Sequence, residues 1–239
     1  MKRLLRKLPE VVSGARFGRA SEASGKRGAG TVRRAAAALL LAAAALFALA
    51  GCGFEKEADV TTLFVDKEGV LTQLLIEPLE DGSYTQSDLT AYINYEVDSY
   101  NKEHGEDSII REESSISGRF VTIRLTYASA EDYARFNQVP CFQGTLAEAQ
   151  AEGYSFNATF LNKDNASLKG VVVLEEDPEY KILIIQEPGQ IKVDGTIMYV
   201  SEEVTILDQS TAEIPPVEST YSLSMTAALT EKPLYIIYK

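Results

Sequence analysis

Polar and apolar positions alternate most cleanly between Arg119 and Tyr127. Val121, Ile123, Leu125 and Tyr127 fall on one side there, with Thr122, Arg124 and Thr126 on the other. A period of two predicts a strand with one buried face. Runs at Thr61–Val65 and Val70–Ile76 flank Lys67-Glu68-Gly69 and predict a hairpin. Ile109–Ile116 is a less regular strand, joined to 119–127 by a tight turn at Gly118. In between the period lengthens. Leu89, Tyr92, Ile93, Val97 and Tyr100 recur at helical spacing and predict a helix from about Gln86 to His104. An Asp81-Gly82 turn precedes it, Thr85 and Asp88 form a capping box, and Tyr84 with Leu89 forms the hydrophobic staple. Gly105 stands where a left-handed residue commonly ends a helix.

Ser129 with Asp132 starts a short helix through Phe136, and Thr145 with Glu148 starts another that stops at Gly153. From Phe156 onward helical signals cease. Leu168–Leu174, Lys181–Gln186, Gln190–Val193, Thr196–Val200, Val204–Leu207 and Leu234–Tyr238 read as short strands. They are punctuated by Asp177-Pro178, Pro188-Gly189, Asp194-Gly195 and a Pro215-Pro216 loop. This order predicts an α+β fold: an antiparallel sheet with a few helices in the N-terminal half and a β-rich C-terminal part. Residues 61–239 read as a single domain, with 162–167 as the candidate point of subdivision.

The segment before residue 61 follows other rules. Arg33-Arg34 precede an Ala/Leu-rich run, Ala35–Leu46, which closes in Leu49-Ala50-Gly51-Cys52. Basic residues, a short apolar stretch and small residues at its end are the parts of a secretory signal peptide. A spanning helix wants about 20 strongly apolar residues, and alanine contributes little to insertion. The small side chains of Ala50 and Gly51 suit a peptidase cleft, and Cys52 supplies a thiol for thioether formation. In these residues the chain resembles bacterial lipoprotein precursors, with Leu49, Ala50 and Gly51 as the lipobox and Cys52 as the lipidated residue. The resemblance implies a signal peptide over 1–51, a tether over 52–60, and attachment to the outer face of a membrane through Cys52. The competing reading is an uncleaved membrane anchor. Met1–Arg34 is long for the basic part of such a leader, and Ala35-Ala36 argue against a twin-arginine signal.

Charge sharpens the picture once the leader is set apart. Residues 1–51 hold ten Lys+Arg and two Asp+Glu, so 52–239 keeps 13 basic and 33 acidic residues, a formal −20 against −12 for the whole chain. Such a field repels nucleic acid and anionic lipid headgroups, so neither is expected as a partner. With Cys52 lipidated, Cys141 stands alone, between Pro140 and Phe142, and reads as a small buried hydrophobe.

Candidate chemistry is thin. His104 is the one histidine, and as a cation at a helix end it complements the macrodipole more naturally than it serves a nucleophile. Asn162, Asp164 and Asn165, and Glu175-Glu176-Asp177, offer oxygen ligands without the spacing of a calcium loop. No metal or other cofactor is expected. A glycosidase carboxylate pair cannot be chosen among 33 acids. Of the tyrosines, Tyr92 and Tyr100 fall on the apolar helix face, and Tyr127, Tyr199 and Tyr235 read as strand residues. Tyr95 falls off the helical stripe and is a candidate contact surface. The stretch Tyr127–Gly144 is similar to small, uncharacterised lipoproteins of Gram-positive anaerobes, a resemblance that implies no activity. The expectation is a non-catalytic, membrane-anchored binding or scaffold protein on the extracytoplasmic face, meeting an envelope protein or glycan. A carboxylate-dependent hydrolase of wall glycan and a small-ligand receptor are the alternatives.

Overall fold

The computed structural model describes residues 54–79, 85–216 and 229–239. Among these, strand outweighs helix by about 40% to 22%, and the fold is α+β with mostly antiparallel pairing. In chain order the elements are β1 (Thr62–Val65), β2 (Leu71–Pro78), α1 (Gln86–His104), β3 (Ile109–Ser117), β4 (Phe120–Tyr127), α2 (Ala130–Asn137), β5 (Cys141–Thr145) and α3 (Leu146–Ala151). There follow β6 (Thr159–Asn162), β7 (Ser167–Lys169), α4 (Gly170–Leu174), β8 (Lys181–Ile185), β9 (Gly189–Val193), β10 (Ile197–Ser201), β11 (Thr205–Ile206), β12 (Thr211–Ile214) and β13 (Leu234–Tyr238).

The strands form two sheets. Sheet A has the order β11-β12-β9-β1-β2-β4-β3, and sheet B the order β5-β8-β13-β10-β6-β7. In sheet A only β1 and β9 run parallel, Thr62 opposite Gln190 and Val65 opposite Val193. Alternation assigns the faces. Leu63, Val65, Leu71, Leu75, Ile123, Leu125, Ile191 and Val193 of sheet A share one apolar cluster with Leu183, Ile185, Val200, Leu234, Ile236 and Tyr238 of sheet B. Leu89, Ile93 and Val97 of α1 and Tyr133 of α2 complete it. The other face of sheet B carries a second cluster: Ile182, Ile184, Tyr199, Tyr235 and Ile237 beneath Leu146 and Ala149 of α3 and Val173 of α4. The sheets therefore share one core, and their outer faces lie on its opposite sides.

α1 forms where the pattern predicts. Thr85 accepts from the Asp88 amide and Asp88 returns a bond to the Thr85 amide; Tyr84 and Asp81-Gly82 lie outside the described residues. At its C-terminus Gly105 has φ 130° and ψ 146°, a glycine-favoured extended conformation rather than the left-handed helical one expected. α1 also seals the edge of sheet A. Gln86 accepts from the Ile116 amide and donates to the Ser114 carbonyl, while Asn101 accepts from the Ile109 amide and donates to the Ile109 carbonyl. At about 1.5 Å per residue Gln86 and Asn101 stand about 22 Å apart, and Ile109 to Ile116 spans about 24 Å of strand. Helix and edge strand therefore match end to end.

Two departures from the sequence reading have clear causes. Leu168–Leu174 was expected as one strand, but β7 ends at Lys169 and Gly170–Leu174 forms a helical turn. A Cβ on Gly170 would sit 1.8 Å from the Phe156 carbonyl oxygen, so this close approach bends the chain away from the sheet despite the β-branched Val171-Val172-Val173. Strands β5, β6 and β12 lack a sequence signal of their own, and each is held by its register against a neighbour. The 162–167 region is the turn from β6 to β7, inside sheet B. Sheet A takes strands from both sides of it, as does sheet B.

Ahead of β1 the chain folds back across the outer face of sheet A. Lys56 donates to Thr72 Oγ1 at 3.0 Å and lies 3.7 Å from Asp66. Arg124, its side chain 11% exposed, donates to the Lys56 carbonyl and reaches Glu57 at 3.3 Å and Glu113 at 3.9 Å. Thr61 Oγ1 bonds both the amide and the carbonyl of Ile76. Phe64 and Leu74, between these contact points on the same face, are buried. A surface ion pair such as Arg124–Glu57 contributes at most about 1 kcal/mol. The sheltered, charge-assisted bond to the Lys56 carbonyl belongs to a stronger class, about 1.5–3 kcal/mol, and is the main fastening of this strap.

Candidate functional site

Two places bring polar chemistry together. The first is a cleft of ≈ 890 Å³ on the outer face of sheet B. One wall is Ser155–Thr159 with Lys169–Val171 and Leu174, and the other is the turn Ser201-Glu202-Glu203 with Lys232, Pro233 and Tyr235. Each wall has a reason for its position. Ser201 is buried at the end of β10, and its hydroxyl accepts the Tyr235 amide at 2.9 Å, which joins the turn to β13. The Tyr235 hydroxyl reaches across to the Ser155 carbonyl at 2.9 Å. Phe156 and Tyr235 form an aromatic floor packed on the buried Phe160, with centroids 5.5–6.2 Å apart. Lys232 pairs with Glu203 at 2.5 Å, and that bond holds the ammonium above its ordinary range. Val171 is exposed at the rim beside Lys169.

Both carboxylates of the cleft, Glu202 and Glu203, come from one turn, and Glu203 is engaged by Lys232. Glycoside cleavage by two carboxyl groups needs them on either side of the scissile bond, whereas the opposite wall here presents Ser155, Asn157, Thr159 and Lys169. The arrangement suits holding a polar chain by hydrogen bonds and paired charges over an apolar floor.

The second place is inside the shared core. Asn137 Nδ2 donates to the Tyr127 hydroxyl at 3.1 Å, which donates to Gln73 Oε1 at 2.9 Å. Gln73 Nε2 donates to the Tyr133 hydroxyl at 3.3 Å, which donates to Glu187 Oε2 at 2.5 Å. All five residues are buried. The donors run in one direction from amide to carboxylate, an order in which each bond polarises the next. Burial, then the nearby Glu187 charge, pushes the Tyr133 phenol well up; for Tyr127 burial is again the main cause. Cys141 packs against the same core, partly buried, and its thiol is pushed up by burial first and by Glu187 second. A thiol so raised is a poor nucleophile.

Leu49, Ala50, Gly51 and Cys52 lie outside the described residues. Tyr95 is 68% exposed on α1 and is not part of the cleft wall. Tyr92 and Tyr100 pack against the core from the same helix. His104 is exposed in the last turn of α1, its ring 4.2 Å from that of Tyr100. Asn162 Oδ1 accepts the amides of Asp164 and Ala166, and Asn165 takes a left-handed φ of 56°, so these residues build the β6–β7 turn. Glu176 accepts from Tyr199, and Asp177 accepts the Glu179 amide. No group of three or more metal-ligating side chains occurs among the described residues, nor does a helix long and apolar enough to cross a membrane.

Sequence reasoning missed both places. The cleft gathers four separated segments that carry no local motif. The network left one trace: Gln73 occupies the core-facing register between Leu71 and Leu75, a polar residue where alternation calls for an apolar one. Comparison with family models, with curated proteins and with solved structures finds no match for this chain.

Proposed function

We propose that the chain is a membrane-tethered, extracytoplasmic binding protein of the cell envelope, attached through a lipidated Cys52. Its cleft holds an extended polar segment of an envelope polymer, peptide or glycan, without chemical turnover. The observation that carries this reading is the cleft itself. Its volume falls in the range of ligand sites, about 300–1,000 Å³, Lys232 and Glu203 are mutually paired, and its two carboxylates share one wall. Attachment to a surface raises the effective concentration for other envelope components, so weak contacts suffice. Two acyl chains in a thioether-linked diacylglycerol give a stable anchor where one would not.

Two measurements test this. Intact-mass analysis of protein extracted from membranes of a lipoprotein-processing host is expected to show residues 52–239 plus lipid, and a Cys52→Ala variant is expected to stay unprocessed. Titration of the purified protein with soluble wall fragments, followed by NMR, is expected to shift resonances of Lys169, Val171, Glu202, Lys232 and Tyr235. Shifts confined to Tyr95 and its neighbours on α1 would move the contact surface there. Turnover of the fragments, lost in Glu202→Gln, would replace binding with the hydrolase reading.

A further inference from the structure

The strap and the cleft occupy opposite sides of the shared core, and this has a directional consequence. The chain leaves Lys56 over the middle of sheet A's outer face, where Arg124, Thr72 and Asp66 hold it. Only four peptide units separate Lys56 from Cys52, a reach of at most about 14 Å. Bringing sheet B's outer face to the attachment plane requires that plane to lie beyond the whole sandwich, whose sheets alone are about 10 Å apart before side chains and helices are added. Released as far as Val60, the chain would span up to about 29 Å, enough to let the domain turn over. The strap thus removes about half of the available reach.

We propose that the strap fixes the orientation of the domain: sheet A's outer face looks toward the bilayer, and the cleft looks away from it. This rests on the attachment at residue 52 proposed above. It specifies the source of the ligand: a wall-side polymer lying outward of the membrane rather than a lipid headgroup. Arg124 is then a positioning residue, acting through the backbone of Lys56.

The test uses the full chain, expressed in a lipoprotein-processing host and reconstituted in phosphatidylcholine vesicles carrying a headgroup energy acceptor. In a Cys141→Ala background, a donor dye is placed either at Glu112→Cys, exposed on β3 and bonded to Thr126 of the outer face of sheet A, or at Val171→Cys on the cleft rim. Transfer is expected to be several-fold higher from position 112 than from 171. Adding Arg124→Ala is expected to bring the two values together while vesicle flotation is unchanged. Equal transfer with the strap intact, or higher transfer from 171, overturns the orientation even when flotation and mass establish the anchor. If mass shows that residues 1–51 remain attached, the lipid reading fails and Cys52 keeps a free thiol; with Cys52→Ser added before labelling, the same pair of dyes still decides the orientation of the vesicle-bound protein. A protein that does not float with vesicles overturns both.

Discussion

Single side chains decide how the core is pinned. Removing the Tyr133 hydroxyl leaves the buried Glu187 carboxylate without that donor and breaks the relay at Gln73. Deleting one partner of a buried hydrogen bond costs about 1–3 kcal/mol, and more when the group left behind is charged. Tyr133→Phe is therefore expected to lower stability by about 2–4 kcal/mol, read as a lower urea midpoint at unchanged slope. Cys141 gives a second expectation at this scale. With its thiol raised by burial and by Glu187, labelling by a thiol reagent at neutral pH is expected to be slow until denaturant is added; rapid labelling in the folded state would show an accessible, activated thiolate. Apolar neighbours in sequence point Cys141 toward the core, and the structure places it there only partly buried. The relay is not legible in the sequence, because Gln73 and Glu187 stand more than a hundred residues apart, and the polar Gln73 at a core-facing position does not say which distant groups will meet it.

At the scale of elements, the helix ends and the edge strand carry the predictions. The Thr85 side chain, then its amide, hold the Asp88 carboxyl below its usual range; the Thr145 amide and hydroxyl do the same for Glu148. Folded values below unfolded ones mean that this support is present at neutral pH and lost as pH falls through the ordinary carboxylate range and beneath it. Helical signal near-neutral to pH 3 is expected to decline, and Asp88→Asn with Glu148→Gln is expected to flatten that slope. Asn101→Ala removes two bonds to Ile109 and is expected to cost about 1–2 kcal/mol. By freeing the edge of β3 it is also expected to raise light scattering at high protein concentration. Legibility follows the same physics. α1 could be read because its cap, its stripe and its length agree. The β4 face could be read because Val121 to Tyr127 alternate without a break. α4 could not, since Val171-Val172-Val173 has strand propensity and only contact with Phe156 bends it. β6 and β12 have too little apolar sequence to announce themselves, and their register comes from neighbours far along the chain.

For the molecule as a whole, the interleaving of strands matters most. β13, buried along its whole length, lies between β8 and β10 at the centre of sheet B and contributes to both clusters. Removing residues 233–239 is expected to abolish the cooperative unfolding transition, whereas the intact chain is expected to lose both sheets in one step, seen as coincident fluorescence and circular dichroism curves. The parallel contact of β1 with β9 has a kinetic side. Thr62 emerges from the ribosome long before its partner Gln190, so sheet A cannot close until most of the polypeptide has been made. Pairings of such high sequence separation form slowly, because loop closure must precede any gain from contact. A newly made chain therefore cannot complete sheet A during most of its synthesis. That delay is what the proposed route, export through a narrow membrane channel with folding on the far side, would require.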